Sequence, residues 1–425
     1  MSIYKYVLAN YRAVKSAEIN VDGITVLAGE NGSGKSTLSR FLYIIAKVLS
    51  EYETLIDNNA RQELLLILGR MERANLILRN VASSISFAEL QDCLQTWQLN
   101  DFIEKLLEVI DKFGAKINEE LIASDDPEYL KARLITLFVL EKDTSLESVV
   151  GAIVQRLKES VIQIKEETEQ KKTQRTAETF EELISQVSDN QDVGHVLLGL
   201  HEDGVELLDV GHFNPLLNLN RVIYYKTYEL MDYLDKRSEF HNYLETPAKG
   251  KLSDEEKLVA KVLKDTLGGE VVLAEDDIMP IKQLHFKRKD GLDISLKQAA
   301  TGLVSFSFLQ RLLENGYFKE GTLLIIDEPE AHLHPKWIVE YARILVMIQK
   351  YLKVKIVLST HNPDMLAAID SIARREDVVD TTNFYFAKPS EDHPYQYVYQ
   401  KLDSVEEIFD SFNTALIKIQ EYGKD

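Results

Sequence analysis

A glycine-rich segment near the start of the chain has the residue types that bind phosphate. Residues 29–36 read GENGSGKS, a full match to the pattern G-x-x-x-x-G-K-[ST]. The glycines let several backbone N–H groups converge on one phosphate, Lys35 reaches the β- and γ-phosphates of a nucleotide, and the Ser36 hydroxyl can ligate Mg²⁺. The expected nucleotide contacts are Gly29, Glu30, Asn31, Gly32, Ser33, Gly34, Lys35, Ser36 and Thr37. The alternative is a glycine turn without catalytic meaning.

An acidic pair follows an apolar segment much later in the chain. Residues 323–328 read LLIIDE, which predicts a buried strand with two carboxylates at its C-terminal end. Asp327 would hold Mg²⁺, directly or through a water molecule, and Glu328 would polarise an attacking water. Together with the glycine loop, the acidic pair indicates hydrolysis of ATP rather than binding alone.

A histidine follows the next apolar segment, KIVLS at residues 355–359. Parallel strands end at the same sheet edge, so His361 is expected beside Asp327 and in contact with the γ-phosphate. The competing interpretation is a structural histidine. His332 and His334, in EAHLHP, have no further obvious ligand for a zinc site, and we interpret them as part of a turn near a subunit interface.

These segments need a sheet and helices to position them. Residues 1–28 predict β-strands and residues 38–48 have helical spacing, so the glycine loop lies between a strand and a helix. From about 51–191, Pro and Gly nearly vanish and apolar residues recur at three- and four-residue steps, which predicts a helical block. Within it, residues 155–176 pass from an apolar seam to a polar stretch, typical of a protruding hairpin or short coiled coil, or of a solvated surface helix.

The second half of the chain returns to alternating strands and helices. Residues 221–225 predict a strand, and residues 282–296 predict a hairpin around an Asp-Gly turn. A helix is expected from residue 303 to 314, and the two apolar strands are separated by a helical crossover. After residue 383 we expect two further strands and then a helix over residues 404–422.

Composition and charge limit the cellular setting. The formal net charge is −20, a field that repels phosphate backbones and anionic lipid, so any contact with nucleic acid must be a local patch. The candidates are residues 287–289 and residues 171–175, and such short basic runs are more often solvated. One cysteine, no secretory-signal pattern and no apolar run long enough to span a bilayer predict a cytoplasmic protein without a membrane partner.

Four segments together resemble a known family. GENGSGKST, LLIIDEPEAHLHP and IVLSTHNPDML, with the opening YVLANYRAVKSAEI, are similar to the ABC-type ATPase heads of SMC, RecF and OLD proteins. The likeness covers residues 1–47 and 220–400. It implies an α/β P-loop head with a mixed sheet, built from residues 1–47 and 206–425, and a helical insertion at residues 48–205.

The resemblance also implies a dimer. In such heads two ATP molecules with Mg²⁺ lie between two subunits, each held by the glycine loop of one and a signature loop of the other. The matching loop is AATGLVS, residues 299–305, in which Thr301 and Gly302 are expected to contact ATP. Arg12 matches a basic residue that lies close to the nucleotide in related heads.

Four functions fit such a head. The first is control of a partner nuclease or toxin, as implied by the resemblance to the ATPase subunits of Septu, PARIS and retron anti-phage systems. The second is a DNA-repair ATPase of the RecF kind, the third the nucleotide-binding subunit of a membrane transporter, and the fourth a scaffold that uses ATP as assembly glue. Transporter heads place the signature loop much sooner after the glycine loop, and a scaffold would not need Glu328.

The first of these functions is the leading prediction. OLD nucleases add a metal-binding module after the final motif, and the residues that follow His361 are too few for one. No nuclease site is recognised in this chain, so we expect any cutting to belong to a separate effector protein. The prediction is therefore an ATP hydrolase that forms a homodimer or a higher oligomer, with nucleic acid left open as a further partner.

Overall fold

The chain divides into two compact units. The computed structural model describes residues 2–78, 86–188, 197–209, 211–235, 239–247, 251–275, 282–409 and 421–422. The first unit comprises residues 1–50 and 181–425, and the second comprises residues 51–180. No helix within the described ranges combines the length and the apolar character needed to cross a bilayer.

A ten-stranded mixed sheet organises the first unit. The strands of the chain are β1 (Tyr4–Tyr11), β2 (Val14–Val21), β3 (Ile24–Ala28), β4 (Leu197–Glu202), β5 (Val205–Glu206), β6 (Leu208–Asp209), β7 (His212–Phe213), β8 (Arg221–Lys226), β9 (Gly269–Glu275), β10 (Lys282–Arg288), β11 (Asp293–Ser295), β12 (Thr322–Asp327), β13 (Lys355–Thr360), β14 (Thr382–Pro389) and β15 (Tyr397–Leu402). The order across the large sheet is β5-β4-β1-β2-β15-β14-β3-β13-β12-β8, and β9–β11 and β6–β7 form two smaller sheets. Strands β3, β12 and β13 are buried along their whole length, as their unbroken apolar sequences predict.

The centre of the large sheet is parallel, which brings several strand ends to one edge. Strand β12 pairs with β13, where Asp327 lies opposite Ser359, and with β8, where Asp327 lies opposite Lys226. Strand β13 pairs with β3, where Thr360 lies opposite Ala28. The residues that precede or end the glycine loop, the acidic pair and the histidine segment therefore meet at the carboxyl edge of the sheet.

Helices cover this sheet and form the whole of the second unit. The helices are α1 (Lys35–Ser50), α2 (Tyr52–Ile77), α3 (Phe87–Thr96), α4 (Leu99–Ala123), α5 (Pro127–Phe138), α6 (Val149–Gln174), α7 (Ala177–Val187), α8 (Leu230–Asp235), α9 (Glu239–Glu245), α10 (Asp254–Leu267), α11 (Thr301–Glu314), α12 (Pro335–Leu352) and α13 (Pro363–Arg375). In the first unit α10–α13 bury apolar side chains against the sheet. The buried hydroxyls of Tyr225 and Tyr341 lie 2.8 Å apart and satisfy each other.

The second unit is a helical bundle in which α6 packs on α2 and α4. Ile153, Leu157 and Val161 of α6 are buried in its core. The polar end of the same helix pairs with α2, since Lys172 lies 2.7 Å from Asp57 and Arg175 lies 3.1 Å from Glu53. Both the seam and the polar stretch therefore pack against neighbouring helices of the bundle, and the protruding hairpin or short coiled coil stays a prediction.

Most predicted strands and helices of the head are confirmed, but the insertion boundary differs. The hairpin forms as β10 and β11 with its turn at Gly291, and the helix predicted from residue 303 begins at Thr301. The compact helical unit ends at residue 180, not 205, because β4 pairs with the outer edge of β1. Of the helix predicted for residues 404–422, residues 410–420 lie outside the described ranges.

Candidate nucleotide-binding site

The glycine loop occupies the turn between β3 and α1, as predicted. Gly29 and Gly34 have φ of 154° and 93°, and a Cβ at Gly34 would lie 2.8 Å from Cγ2 of Val14. A Cβ at Gly29 would lie 2.8 Å from Cβ of Ala387. Strands β2 and β14 therefore press on the loop where only glycine fits.

Loop residues differ in exposure in a way that suits phosphate binding. Glu30, Asn31, Gly32 and Ser36 are exposed, Gly34 and Thr37 are half-buried, and Gly29, Ser33 and Lys35 are buried. Tyr399 of β15 donates a hydrogen bond of 3.3 Å to the Ser33 carbonyl and so holds the loop against the sheet. The exposed part lies at the N-terminus of a sixteen-residue helix, where backbone N–H groups and the helix dipole favour an anion.

The side chain of Lys35 folds back over the loop. Its Nζ donates hydrogen bonds of 2.8 Å to the carbonyls of both Gly29 and Glu30. Burial lowers the pKa of this ammonium, and the nearby carboxylates of Glu328 and Asp327 act in the opposite direction. Lys35 is thus a buried cation that faces the acidic pair across the edge of the sheet.

Asp327 ends β12 with a fully buried carboxylate. It accepts hydrogen bonds from the hydroxyls of Ser359 and Ser36. Burial raises the pKa of Asp327, and these two hydrogen bonds oppose the rise. The other oxygen, Oδ2, has no hydrogen-bond partner within the described residues. An unsatisfied carboxylate oxygen beside a serine hydroxyl is an oxygen ligand set that suits Mg²⁺, so the two predicted metal ligands fit the ion.

Glu328 is separated from Asp327 by a sharp turn of the backbone. Its φ is 53°, in the left-handed region, and its N–H donates a 3.0 Å hydrogen bond to the Ser359 carbonyl. A non-glycine residue in this conformation costs about 1 kcal/mol or more, and such strain concentrates at functional sites. The Glu328 side chain is 29% exposed, so one acid of the pair is buried and the other opens towards solvent.

His361 follows β13 and lies against two glutamates. Its Nδ1 is 3.5 Å from Oε1 of Glu328 and 3.6 Å from Oε1 of Glu330. The backbone after His361 is held in place, since Asn362 caps α13 by accepting from the N–H groups of Asp364 and Met365. The structure thus brings the predicted histidine and the predicted base together.

Two families of ATPase domain match the chain. A model described as an AAA domain, putative AbiEii toxin, Type IV TA system, matches residues 166–367, which include the acidic pair and His361. A model described as an AAA ATPase domain matches residues 1–67, which include the glycine loop. The chain contains ATPase-domain segments that match these two models. The head predicted from the sequence motifs is therefore confirmed.

Curated relatives match only a short part of the chain. The energy-coupling factor transporter ATP-binding protein EcfA2 of Clostridium perfringens strain SM101 is 34% identical over 116 residues, 27% of this chain and 40% of the relative. A putative ABC transporter ATP-binding protein of C. perfringens strain 13 is 33% identical over the same length. The chain thus spans 40% of the length of these relatives.

Solved SMC heads are similar along most of the chain at low sequence identity. The Smc head bound to the C-winged helix domain of ScpA has a TM-score of 0.42 and 12% identity, and covers 96% of this chain and 99% of its own. The SMC head of Thermotoga maritima has a TM-score of 0.38 and 10% identity, with 95% and 100% covered. Function in this ATPase head is therefore inferred from its site residues and the two domain matches.

The signature-like residues of the head lie beside the turn that follows the acidic pair. Thr301 and Gly302 begin α11, and a Cβ at Gly302 would lie 2.9 Å from Cδ2 of Leu333 and 3.6 Å from the His332 carbonyl. His334 accepts a hydrogen bond from its own helix and caps α12. The contact of Thr301 and Gly302 with ATP of a partner head stays a prediction. No group of three or more metal-ligating side chains occurs in the part of the chain that the structure describes.

Arg12 of the head lies close to the first turn of α1. It is exposed, has a φ of 52°, and places its guanidinium 5.2 Å from the centre of the Tyr11 ring. Arg12 and Thr37 line the same small surface pocket. Thr37 directly follows Ser36, so Arg12 lies near the end of the glycine loop, and its contact with a nucleotide stays a prediction.

The basic runs of the head and of the bundle are paired with acids. Lys287, Arg288 and Lys289 lie 3.4, 2.6 and 2.9 Å from carboxylates of Asp293, Asp290 and Asp265. Lys172 and Arg175 of the bundle are paired with α2, as described above. These pairs reduce the positive potential on which a nucleic-acid contact would depend.

Two residues of the site were missed in the sequence. Glu330 is the second glutamate in EPEAHLHP and was not separated from the turn around it. Lys226 ends β8 opposite Asp327, and its Nζ lies 3.0 Å from Glu229. Burial lowers the pKa of Lys226, but the bond and charge of Glu229 outweigh this and raise it. The sequence predicted only that a strand ends near Lys226. It did not predict that this strand lies next to the strand that ends at Asp327.

Proposed function

We propose that this chain is an Mg²⁺-dependent ATPase that dimerises around ATP and regulates a partner effector, a nuclease or a toxin, in bacterial anti-phage defence. The observation that carries the hydrolytic part is the convergence of Lys35, Asp327, Glu328 and His361 at one edge of the sheet. A cation, a metal ligand, a base and a hydrogen-bonding imidazole are the groups that hydrolysis of a γ-phosphate requires.

The roles follow from the surroundings of each side chain. Mg²⁺ on Asp327 and Ser36 would neutralise charge that develops on the phosphate oxygens. Lys35 exchanges its two carbonyl partners for phosphate oxygens, since an anion is the stronger acceptor. Glu328, the more exposed acid, orients and polarises the attacking water. His361 donates to the γ-phosphate.

The regulatory part of the proposal has separate support. The domain description that matches residues 166–367 names a putative AbiEii toxin of a type IV toxin–antitoxin system. The sequence also resembles ATPase subunits of anti-phage systems, in which a partner protein carries the nuclease. The description links the matched domain to a toxin–antitoxin system. Because a partner protein carries the nuclease in the anti-phage systems that the sequence resembles, we assign the head the role of a nucleotide-controlled switch and the destructive chemistry to another chain.

Hydrolysis is tested by phosphate release and by nucleotide binding. Lys35→Ala should abolish binding, whereas Glu328→Gln should retain binding and lose at least 10²-fold in turnover, the usual scale for loss of a general base. Lys319→Ala and Glu255→Gln change exposed residues of the same types and serve as matched controls. Normal turnover of Glu328→Gln would refute the assignment of the base.

The role of the ATPase is tested by capture of its partner. The Glu328→Gln protein is tagged, expressed in the native host with ATP present during purification, and analysed by mass spectrometry. A nuclease or toxin that co-purifies with Glu328→Gln but not with Lys35→Ala supports the proposal, and loss of phage protection in Lys35→Ala cells adds to it. Recovery of DNA with replication proteins would favour a DNA-repair ATPase instead.

A second candidate has one observation in its favour. The matched segment of EcfA2 belongs to a transporter ATP-binding protein, so a transporter subunit is an outcome that the capture experiment can detect. A membrane permease bound to Glu328→Gln would establish it. The helical unit of residues 51–180 between glycine loop and signature-like loop speaks against this candidate.

A further inference from the structure

Glu330 is a buried carboxylate next to the exposed part of the site. Its side chain is 3% exposed, whereas that of His361 is 41% exposed. It lies three residues after Asp327, in the turn between β12 and α12, and neither the metal site nor the base includes it. A buried acid at such a place needs partners, because an unpaired buried charge is costly.

The partners of Glu330 all belong to the end of β13. Its Oε1 accepts a 2.6 Å hydrogen bond from the Thr360 hydroxyl and a 3.1 Å hydrogen bond from the backbone N–H of His361. Its Oε2 has no partner within the described residues. Glu330 therefore connects the turn after β12 to the end of β13 through hydrogen bonds. Its Oε2 can still accept a hydrogen bond from a further donor.

The imidazole of His361 is a donor that lies close to this carboxylate. Its Nδ1 lies at almost equal distances from Oε1 of Glu330 and Oε1 of Glu328, just beyond hydrogen-bond length, and makes no hydrogen bond within the described residues. Catalytic hydrogen bonds are often long before substrate binds and shorten afterwards. The imidazole can thus turn to either carboxylate, and the two choices have different consequences.

We propose that Glu330 is a positioning residue for His361, accepting the Nδ1–H of the doubly protonated imidazole so that the Nε2–H donates to the γ-phosphate. The inference rests on the proposed ATP hydrolysis. A bond from His361 to Glu328 would occupy the carboxylate that must orient water, whereas a bond to the buried Glu330 leaves Glu328 available. Glu330 itself touches neither ATP nor the water.

A purely structural role for Glu330 can be separated from this one. In Glu330→Gln the amide oxygen can still accept from Thr360 and from the His361 backbone, so the tie between the strands remains, but the negative charge is lost. We expect kcat to fall about 10- to 100-fold, the usual effect of removing the partner that orients a catalytic histidine or ligand, with KM for ATP within twofold. Unchanged kcat in Glu330→Gln would overturn the inference.

A double-mutant cycle shows whether Glu330 acts through the imidazole. When His361 is first replaced by Ala, the further change Glu330→Gln should lower kcat by less than twofold, because the imidazole through which Glu330 acts is absent. A loss as large as in the single variant would mean an independent, structural effect and would refute the proposal. Wild-type ATP hydrolysis in the same assay shows whether the proposed function itself holds.

A spectroscopic measurement on the unmodified sequence covers the case in which Glu330→Gln does not fold. The protein is labelled with ¹⁵N-histidine and bound to a non-hydrolysable ATP analogue with Mg²⁺, and the His361 signals are assigned by their loss in His361→Gln. A protonated Nδ1 is the expected result. An unprotonated Nδ1 would overturn the proposal even if hydrolysis is normal, and absence of analogue binding would instead count against the proposed function.

Discussion

Three carboxylates within four residues of the chain have different surroundings and hence different chemistry. Asp327 and Glu330 are buried, whereas Glu328 is partly exposed. Of these three acids, Glu328 is the one whose backbone lies in the left-handed region, at a φ of 53°. Burial raises the pKa of Asp327 and of Glu330, because it disfavours their charged forms. A bound cation or a hydrogen-bond donor would stabilise these charged forms.

Asp327→Asn should stabilise the head in the absence of Mg²⁺. The native pKa of Asp327 is raised by burial, so above about pH 4 the unfolded state has lost the proton that the native state keeps. The free energy of unfolding therefore falls as pH rises through this window. We expect a higher Tm for Asp327→Asn at pH 7 in EDTA, together with loss of ATP hydrolysis.

The pH dependence provides the control for this prediction. The Tm difference between Asp327→Asn and wild type should shrink as pH falls below about 4, because Asp327 then becomes protonated in the unfolded state as well as in the native state. Asp254→Asn, at an exposed site where a lysine lowers the pKa of the acid, should not raise Tm at pH 7. A lower Tm of Asp327→Asn at pH 7 would contradict the argument from burial.

The glycine loop is shaped by elements that are remote from it in sequence. Strand β2 contacts Gly34 through Val14, and strand β14 contacts Gly29 through Ala387. Tyr399 of β15 holds the Ser33 carbonyl. The motif supplies the residues, and three strands of the sheet supply the shape.

Gly34→Ala should weaken ATP binding for two reasons, backbone strain and a close contact with Val14. At φ of 93° a Cβ costs about 1 kcal/mol or more, and here it also meets Val14 at 2.8 Å. Gly291→Ala is the matched control, since its φ is 95° but nothing lies within 4 Å of the added atom. Both variants should lower Tm, but only Gly34→Ala should weaken ATP binding, by at least tenfold in calorimetric titration. Equal ATP affinities would show that the close contact does not matter.

Two glycines of the helical bundle should respond to alanine in opposite ways. A Cβ at Gly114 of α4 would clash with Cγ2 of Val154 on α6, so Gly114→Ala must push the helices apart at a cost of about 1–3 kcal/mol. Gly151 of α6 has open space, and alanine there should stabilise its helix by about 0.5–1 kcal/mol.

Denaturant unfolding followed by circular dichroism measures both changes. The pair is informative because both substitutions add one methyl group to the same bundle. A stabilising Gly114→Ala would mean that α4 and α6 do not cross as closely as described. A destabilising Gly151→Ala would point to a contact made by this surface.

At the scale of the whole molecule, the expected event is ATP-dependent dimerisation. Glu328→Gln should elute with a light-scattering mass about twice the 48.6 kDa of one chain when ATP and Mg²⁺ are present, because bound ATP is not consumed. EDTA should return it to one chain, and Lys35→Ala should stay a monomer under all conditions. A monomeric Glu328→Gln with ATP demonstrably bound would exclude the dimer.

Local sequence motifs were sufficient to predict the candidate ATPase site before the fold was known. The glycine loop, LLIIDE and the segment that ends in His361 each combine a buried strand with polar residues at its end, and such strands meet at one edge of a parallel sheet for general geometric reasons. The hairpin at Gly291 was equally accessible, since an Asp-Gly turn between alternating segments depends on neighbouring residues alone.

Residues whose role depends on partners distant in the sequence could not be predicted from local motifs. Glu330 acquires its position from Thr360 and His361 at the end of another strand, and Lys226 faces Asp327 only because β8 lies next to β12. The edge of the helical unit was misplaced because β4 is defined by its pairing with β1. Sequence patterns thus predict what a segment is, from propensity and periodicity, whereas packing between segments decides what each side chain faces.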